Sequence, residues 1–240
     1  MTILKRENDM KKILVILLAM MLVLGVVGVV GAAPFTITNL GSGIAYGIND
    51  SGQVVGVTAT PVSTGHAFIW DETNGRTDLG GNSANAINNS GQVVGESFNH
   101  AFIWDETNGM TDLGEGSAKD INDSGQVAGY SYPAFIWDET SGMTDLGTLG
   151  GDENYANAIN DSGQVVGFYK YNTRNRAFIW DETSGMTDLG TLGGVSSYAS
   201  DINDSGQVVG SSRTPQSTPP EHHAFIWDET NGMTDLDSWG

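Results

Sequence analysis

The chain has 240 residues, ten basic and twenty-nine acidic side chains, and no cysteine, which gives a formal net charge of −19. Disulfides and thiolate metal sites are therefore excluded. A surface this acidic repels phosphate backbones and anionic lipid headgroups, which argues against nucleic-acid binding and against binding to a membrane surface.

Residues 1–33 have the pattern of an export signal. Lys11 and Lys12 precede an uncharged stretch, 13–30, and small residues at 30–33 offer a cleavage point. The alternative is an uncleaved membrane anchor, because such a stretch is just long enough to cross a bilayer. Both readings predict a secreted or cell-surface protein that contacts the membrane only through this segment. The segment carries four basic and two acidic residues, so the remainder has a net charge near −21.

Residues 34–240 contain five copies of one sequence unit. Each copy contains Ile-Asn-Asp-Ser-Gly-Gln-Val-Val-Gly or a close variant, continues through a variable stretch, and ends with Ala-Phe-Ile-Trp-Asp-Glu-Thr and a Thr-Asp-Leu-Gly-like segment. The copies span roughly residues 35–80, 81–114, 115–150, 151–193 and 194–240.

Turn chemistry predicts two β-hairpins in each copy. Asn49–Gly52 suits a turn that ends in a left-handed residue, because glycine takes a positive φ without a Cβ clash. Glu72–Gly75 repeats this solution. Short apolar runs flank both turns, and no helix-length period is present. The sequence therefore predicts an all-β protein made of tandem four-stranded repeats.

The Ala-Phe-Ile-Trp strand sets the architecture. Because neighbouring side chains in a strand point to opposite faces, Ala and Ile line one face while Phe and Trp line the other. A sheet that is apolar on both sides must be covered on both sides, as stacked or radial copies achieve. We therefore predict a five-bladed β-propeller, with an open β solenoid as the alternative. Residues 35–41 look like an extra closing strand, which we expect to latch onto the last blade.

Three phrases carry a family resemblance: His66-Ala67-Phe68, His100-Ala101-Phe102 and His223-Ala224-Phe225. Together with Asn-Asp-Ser-Gly-Gln-Val-Val-Gly and Thr-Asp-Leu-Gly-Thr-Leu-Gly-Gly, they resemble the HAF-family extracellular repeat. The resemblance covers all five copies and implies an exported tandem-repeat protein, without implying an activity. Pro133 and Arg176 stand where two of the histidines would be, which puts a shared role for the histidine in doubt.

Residues that recur in every copy are expected to serve the fold, whereas a catalytic site needs an asymmetric set. The Asp after each Trp is therefore assigned to turn capping rather than to catalysis. Two copies lack the histidine, and we predict no metal site and no cofactor. Calcium held by oxygen ligands pooled between adjacent copies stays an alternative.

The variable stretch of the fourth copy is the candidate binding patch, because it combines aromatic rings with basic side chains. Its members are Phe168, Tyr169, Lys170, Tyr171, Arg174 and Arg176. The alternative is a long hairpin whose rings pack on a neighbouring copy and whose charges are solvated.

These features predict a non-enzymatic extracellular scaffold for binding or surface display, with a surface polysaccharide or an exported protein as partner. One alternative is an extracellular polysaccharide hydrolase or lyase that uses non-recurring acids such as Glu115, Asp152 and Glu153. Another is a structural component of the cell envelope. The sequence does not predict an oligomeric state.

Overall fold

The computed structural model describes residues 2–5, 36–59, 65–151, 153–215 and 221–237. The expected export segment lies outside these ranges, apart from residues 2–5. Within them the secondary structure consists of β-strands, and none of the described residues belongs to a helix long and apolar enough to cross a membrane.

Each repeat forms one four-stranded antiparallel sheet, or blade, from four consecutive strands. Blade 1 consists of β3 (Gly43–Ile48), β4 (Val54–Thr58), β5 (Ala67–Asp71) and β6 (Gly75–Gly80). Blade 2 consists of β7 (Ser83–Ile87), β8 (Val93–Ser97), β9 (His100–Asp105) and β10 (Gly109–Glu115). Blade 3 consists of β11 (Ser117–Ile121), β12 (Val127–Tyr130), β13 (Ala134–Asp138) and β14 (Gly142–Asp145). Blade 4 consists of β15 (Glu153–Ile159), β16 (Val165–Tyr171), β17 (Arg174–Asp181) and β18 (Gly185–Gly190). Blade 5 consists of β19 (Ser197–Ile202), β20 (Val208–Arg213), β21 (His222–Asp228) and β22 (Gly232–Asp235). Outside the blades, β1 (Thr2–Lys5) pairs with β2 (Thr36–Asn39).

The blades are arranged radially around a central cavity of about 350 Å³. The Ile-Asn-Asp (in blade 2, Ile-Asn-Asn) segment of every blade lines this cavity, so all five copies surround one axis. The prediction of a five-bladed β-propeller is confirmed, and the open solenoid does not describe the chain. The two recurring turns of each blade lie on one side of the ring, the turn face. The variable loops and the blade-to-blade connections lie on the other side, the loop face.

Successive blades bury each other as the Ala-Phe-Ile-Trp strand requires. Ala67 and Ile69 of blade 1 pack in one cluster with Val93, Phe102 and the half-buried Trp104 of blade 2. The Phe of this strand is at most 1% exposed in all five blades. Each apolar face is therefore sealed by the complementary face of its neighbour, and area burial of this kind supplies most of the folding free energy.

The glycine of the Val-Val-Gly segment is required by a close approach within each blade. A Cβ at Gly95 would lie 1.9 Å from the carbonyl oxygen of Ser83 and 2.9 Å from the Phe102 ring. A side chain there would force the first two strands apart beside the bulge at Ala84 and Ala86.

A ladder of asparagine side chains connects the blades on the turn face. The side-chain amide of Asn49 donates to the carbonyl oxygen of Asn88 in the next blade at 3.1 Å. The Oδ1 of Asn49 accepts the backbone N–H of Gln53 at 2.9 Å. The same inter-blade bond recurs from Asn88 to Asn122, from Asn122 to Asn160 and from Asn160 to Asn203, at 3.0–3.1 Å. The recurring asparagine thus caps its own turn and also joins the ring.

The ladder ends at blade 5, where the seam with blade 1 is less tightly packed. Among the described residues, the Asn203 side chain bonds only within its own blade, to Ser205 and Gln207. Val209 is 40% exposed, whereas the equivalent Val55, Val94 and Val166 are fully buried. The next blade covers this position in blades 1 to 4 and leaves it open in blade 5.

The predicted latch is wrong. The strand Thr36–Asn39 pairs with Thr2–Lys5 instead of completing blade 5, which already has four strands of its own. Leu40 packs on Val54 and is 4% exposed, so it covers the front of blade 1. Leu79 and Leu189 cover the following blade in the same way. The segment that resembles an extra closing strand therefore has the same role as the closing strands of other blades, because its leucine covers the blade that follows it in sequence.

Asp120 is a half-buried carboxylate between blades 3 and 4. Its two oxygens accept the Ile121 and Ile159 amides at 2.9 Å each. Burial raises the pKa of Asp120 to about 6, against the opposing effect of the two amide bonds. Ala86 and Ala158 occupy the same position in blades 2 and 4, so the fold does not need a carboxylate there.

Replacing Asn122 by alanine should destabilise the protein more than the same change at Asn203. Both variants lose the turn bonds, but only Asn122→Ala also removes an inter-blade hydrogen bond, leaving the buried carbonyl of Asn160 with the Gly163 amide alone. We expect a loss of about 3 kcal/mol for Asn122→Ala and roughly 1 kcal/mol less for Asn203→Ala, measured by urea unfolding. Equal losses would show that the ladder contributes nothing across the blade junction.

Removing the Asp120 carboxyl should change how stability depends on pH. Because the folded pKa of about 6 lies above the ordinary value of 3.8, the native state binds the proton more tightly between these pH values. The wild type should therefore lose stability relative to Asp120→Ala as pH rises from 4 to 7, by about 2 kcal/mol. Asp120→Asn, which cannot ionise, should follow the alanine profile. Parallel profiles for wild type and Asp120→Asn would contradict the assignment.

Candidate functional site

The recurring Asp after each Trp caps its own turn. Oδ1 of Asp71 accepts the Thr73 amide at 2.8 Å and the Asn74 amide at 2.7 Å. These bonds, with that from Asn74 first, lower the pKa of Asp71. Asp105, Asp138, Asp181 and Asp228 accept the equivalent pair of amides. The assignment of this residue to turn chemistry is confirmed.

The histidine before Ala-Phe pairs with the Asp of the closing strand in the same blade. Nδ1 lies 2.9 Å from a carboxylate oxygen in each of three pairs: His66–Asp78, His100–Asp112 and His223–Asp235. In blade 4 Arg176 takes this place, with Nε 3.7 Å from Asp188. The two members of each histidine pair are twelve residues apart, and this constant spacing is the sequence signal that could have revealed the pairing.

Blade 5 adds a third potential metal ligand to its pair. His223, Asp235 and Asp237 each place a ligand atom within 4.8 Å of the others. Glycine stands at the equivalent of Asp237 in blades 1 and 2, at Gly80 and Gly114. Asp235, and then Asp237 and Glu221, raise the pKa of His223. One imidazole and two carboxylates are donors suited to a divalent cation.

The six predicted patch residues lie on both faces of one hairpin. Tyr169 is 5% exposed, packs between blades 3 and 4, and its hydroxyl lies 3.1 Å from Asp188. Burial raises the pKa of Tyr169 to about 12. Tyr171, on the same face, and Arg174 pair at the hairpin end and are exposed. Tyr169 therefore belongs to the core.

The opposite face of that hairpin carries Phe168 and Lys170. Lys170 forms an ion pair with Glu153 at 3.2 Å, and Arg176 pairs with Asp188. Phe168 instead stacks on Tyr155, with ring centroids 4.8 Å apart and planes 19° apart. The structure thus leaves Phe168 as the member of the predicted patch that joins other aromatic rings. A binding role for the six stays a prediction.

Phe168 is part of a run of rings across the loop face of blades 3, 4 and 5, here called the aromatic arc. Its members are Tyr130, Tyr132, Tyr155, Phe168, Tyr198 and His222. Neighbouring ring centroids lie 4.8–6.2 Å apart, within the range of attractive aromatic contacts. Tyr132 is 61% exposed and His222 is exposed, while the other four rings are half-buried. The arc contains four of the seven tyrosines in the chain.

The fold does not require aromatic residues at the position of four arc rings, Tyr130, Tyr155, Phe168 and Tyr198. The pairs Ser117–Tyr130, Tyr155–Phe168 and Tyr198–Ser211 occupy one cross-strand position in blades 3, 4 and 5. In blade 1 the same position holds Ile44 and Val57, and in blade 2 it holds Ser83 and Glu96. Since blade 2 forms with two polar residues there, rings at this position are not required to build a blade.

Acidic and hydroxyl groups surround the arc. Tyr155 Oη lies 3.1 Å from Tyr132 Oη and 3.2 Å from Glu153 Oε2. The hydrogen bond with Tyr132, followed by burial, raises the pKa of Tyr155 above its ordinary value. Lys119 places its ammonium 5.0 Å from the Tyr130 ring centroid, and burial lowers the pKa of Lys119. The arc therefore offers flat apolar faces bordered by hydrogen-bonding groups.

A cleft of about 570 Å³ adjoins the arc between blades 2 and 3. Its lining includes the rings of Phe98, Tyr130 and Tyr132 and the carboxylates of Glu96 and Glu115. The sequence did not predict this cleft, because the short loops of copies two and three carry no motif. The signal available was the change of residue type at matched repeat positions, which becomes informative once the copies are aligned strand by strand.

The central cavity on the turn face is the other polar concavity. Asp50, Asn89, Asp123, Asp161 and Asp204 line it. Four inter-blade bonds engage this ring, since the backbone amide of each residue donates to the side-chain oxygen of the next at 2.9–3.1 Å. Oxygens from adjacent copies are thus pooled as the calcium alternative requires, but one oxygen of each acceptor already receives an amide. Calcium binding stays a prediction.

A family model described as "Protein of unknown function (DUF3466)" matches residues 135–238, less than half of the chain. No curated protein matches the chain. The resemblance to the HAF-family repeat is not tested by these comparisons and stays a prediction.

Several solved structures are similar to this chain, and two of them are a TolB protein and a β-propeller domain. TolB from Acinetobacter baumannii is 14% identical with a TM-score of 0.53, over 79% of this chain and 52% of that one. This chain therefore spans about half the length of that protein. The β-propeller domain of the Trilobed protease from Pyrococcus furiosus, which has an open velcro topology, is 14% identical with a TM-score of 0.50, over 86% of this chain and 71% of that one. At this identity the likeness shows the fold alone: the chain is a β-propeller.

Proposed function

We propose that this protein is an exported, non-enzymatic propeller that binds a polysaccharide along its aromatic arc. The proposal for export is supported by the charge and apolar pattern of residues 1–33. The proposal for binding rests on one observation, the run of ring contacts across three blades, in which four rings occupy a cross-strand position where blades 1 and 2 have no aromatic residue.

The chemistry of the arc favours a sugar polymer over other ligands with flat faces. Stacked rings also bind single-stranded nucleic acid, but such sites add a positively charged groove, and this chain has a net charge of −19. A sugar ring offers an apolar face to the tyrosines and hydroxyls to Glu153 and the tyrosine oxygens. An extended polymer matches an arc that runs from blade 3 to blade 5.

Exposed rings also need an explanation on a soluble surface. The Tyr132 side chain and the neighbouring Phe98 are 61% and 80% exposed, which places large apolar groups in water beside the arc. Contiguous exposed apolar surface of this kind typically marks a binding site.

Serine at the arc positions should weaken polysaccharide binding without unfolding the protein. Tyr155→Ser and Tyr198→Ser each introduce the residue that blades 2 and 3 already have at that position. We expect each to weaken binding about fivefold, since loss of one stacked ring costs on the order of 1 kcal/mol. The measurement is affinity electrophoresis in soluble β-glucan, mannan and alginate, with stronger retardation by the two neutral polymers than by the anionic one.

Ile44→Ser is the matched control, because it makes the same kind of change at the same repeat position in blade 1, outside the arc. Tyr171→Ala tests the hairpin end of the patch predicted from the sequence. Wild-type retardation of Tyr155→Ser and Tyr198→Ser would overturn the proposal. So would specific capture of an exported protein with no retardation by any polysaccharide.

A second candidate function is favoured by the two glutamates that line the cleft. Glu96 and Glu115 face one cavity beside the arc, and paired carboxylates of this kind catalyse glycoside hydrolysis when correctly spaced. In that case Glu96→Gln or Glu115→Gln should abolish release of reducing ends from the same polymers while retaining their binding. Asp152, another candidate acid from the sequence, lies outside the described residues.

A further inference from the structure

The cleft between blades 2 and 3 combines three properties. It is concave, its rim contains the two strongly exposed rings of Phe98 and Tyr132, and Glu96 and Glu115 line it. Its lining comes from the variable loops of both blades, the connection between them and the adjoining strand ends, and includes Glu96, Phe98, Glu115, Ser117, Tyr130 and Tyr132.

The rim is held in an unusual backbone conformation. Phe98, Asn99 and Tyr132 have φ values of 52°, 65° and 55°, and they are three of the four non-glycine residues with positive φ in the described chain. For a bulky aromatic residue this conformation is rare and unfavourable. The Asn82 side chain accepts the Phe98 amide at 2.5 Å, and the Asn99 carbonyl accepts the Gly116 amide at 2.8 Å. These two bonds fix the backbone of Phe98 and Asn99, so that the Phe98 ring stands at the cleft.

A poorly satisfied polar group lies in the cleft lining. Ser117 is 1% exposed, and its hydroxyl oxygen makes no hydrogen bond of ordinary geometry among the described residues. Its polar neighbour is the Tyr130 hydroxyl, whose pKa is raised mainly by burial and is lowered only weakly by Ser117. A buried hydroxyl without a well-placed partner costs free energy and commonly marks the place of a missing donor or acceptor. A ligand that donates a hydrogen bond would satisfy it.

Aromatic faces, carboxylates and an available acceptor oxygen together describe a site for a cation that also donates hydrogen bonds. Ring faces attract ammonium groups, and carboxylates pair with them. The molecule shows this preference within its own structure, since the Lys119 ammonium already lies over one face of Tyr130 and is attracted by Glu96.

We propose that this cleft binds the protonated amino group of an amino sugar, so that the polysaccharide held by the arc is one with free amines. This inference rests on the proposed function, because Tyr130 and Tyr132 belong both to the cleft and to the arc. In the complex Glu96 and Glu115 neutralise the ammonium, Ser117 Oγ accepts one of its N–H groups, and Phe98 and Tyr132 cover it.

The test is isothermal titration calorimetry with the glucosamine hexamer and its fully N-acetylated counterpart at pH 6. The two oligomers have the same length and stacking faces and differ in charge at the amine. We expect the glucosamine hexamer to bind at least 10-fold more tightly, and its affinity to fall as sodium chloride rises, because ion pairing is screened by salt. Equal affinities would overturn the inference.

Charge and ring variants locate the contact. Glu96→Gln and Glu115→Gln should each weaken the glucosamine hexamer about fivefold and leave the N-acetylated hexamer unchanged. Phe98→Asn, which tolerates the positive φ, should weaken it similarly. Glu139→Gln is the matched control, because Glu139 is an exposed glutamate in the β13–β14 turn on the opposite face. An equal effect of Glu139→Gln would show that only the overall charge attracts the oligomer, which would overturn the inference.

Ser117→Ala separates binding from folding. Removing a poorly satisfied buried hydroxyl should leave the melting temperature unchanged or raise it, while lowering the affinity for the glucosamine hexamer severalfold. Unchanged affinity in this variant and in the two glutamate variants would overturn the inference. If Tyr155→Ser still weakened both hexamers, the proposed function would stand; if it did not, both would fail.

Discussion

Every blade of this propeller has to bury two apolar faces, and this constraint decides which residues can vary. The side chains of the Ala-Phe-Ile-Trp strand pack against the blades on both sides, so they are not available to bind a ligand. The asparagine ladder adds a polar constraint on the turn face, because each side chain is engaged by its own turn and by the next blade. Side chains that bind a partner must therefore come from the loop face, where successive copies differ.

The need to bury both apolar faces is only partly met at the first and last blades. Leu40 seals the front of blade 1, and the Arg76 guanidinium lies 4.3 Å from the Phe68 ring centroid, where a preceding blade would otherwise pack. Within the described residues, blade 5 lacks such a cover over Val209. The end of the asparagine ladder at Asn203 coincides with this exposure, so burial and hydrogen bonding weaken together at one seam. This seam is the least stabilised junction of the ring.

The sequence predicts the parts of this structure that repetition enforces. Strand count, turn positions and two-sided burial all follow from residues present in every copy, such as the Gly that ends Asn-Asp-Ser-Gly and the Phe before Ile-Trp. The latch could not be predicted, because residues 35–41 resemble a closing strand whether they complete a sheet or merely carry Leu40 to blade 1. The candidate site was predicted only in Phe168. The other rings of the arc are distant from it in sequence, and only the radial arrangement of the blades brings them together.

The split of the predicted patch follows from strand alternation. Phe168 and Tyr169 are adjacent, so they must point to opposite sides of β16: one toward the arc, the other into the interface with blade 3. A run of alternating aromatic and basic residues therefore cannot act as one surface when it is a strand. The same rule explains why the arc uses one residue from each of several strands. In a propeller, a continuous binding surface is assembled from equivalent positions in successive blades. Comparing the residues at those positions blade by blade therefore indicates where a repeat of this kind binds a partner.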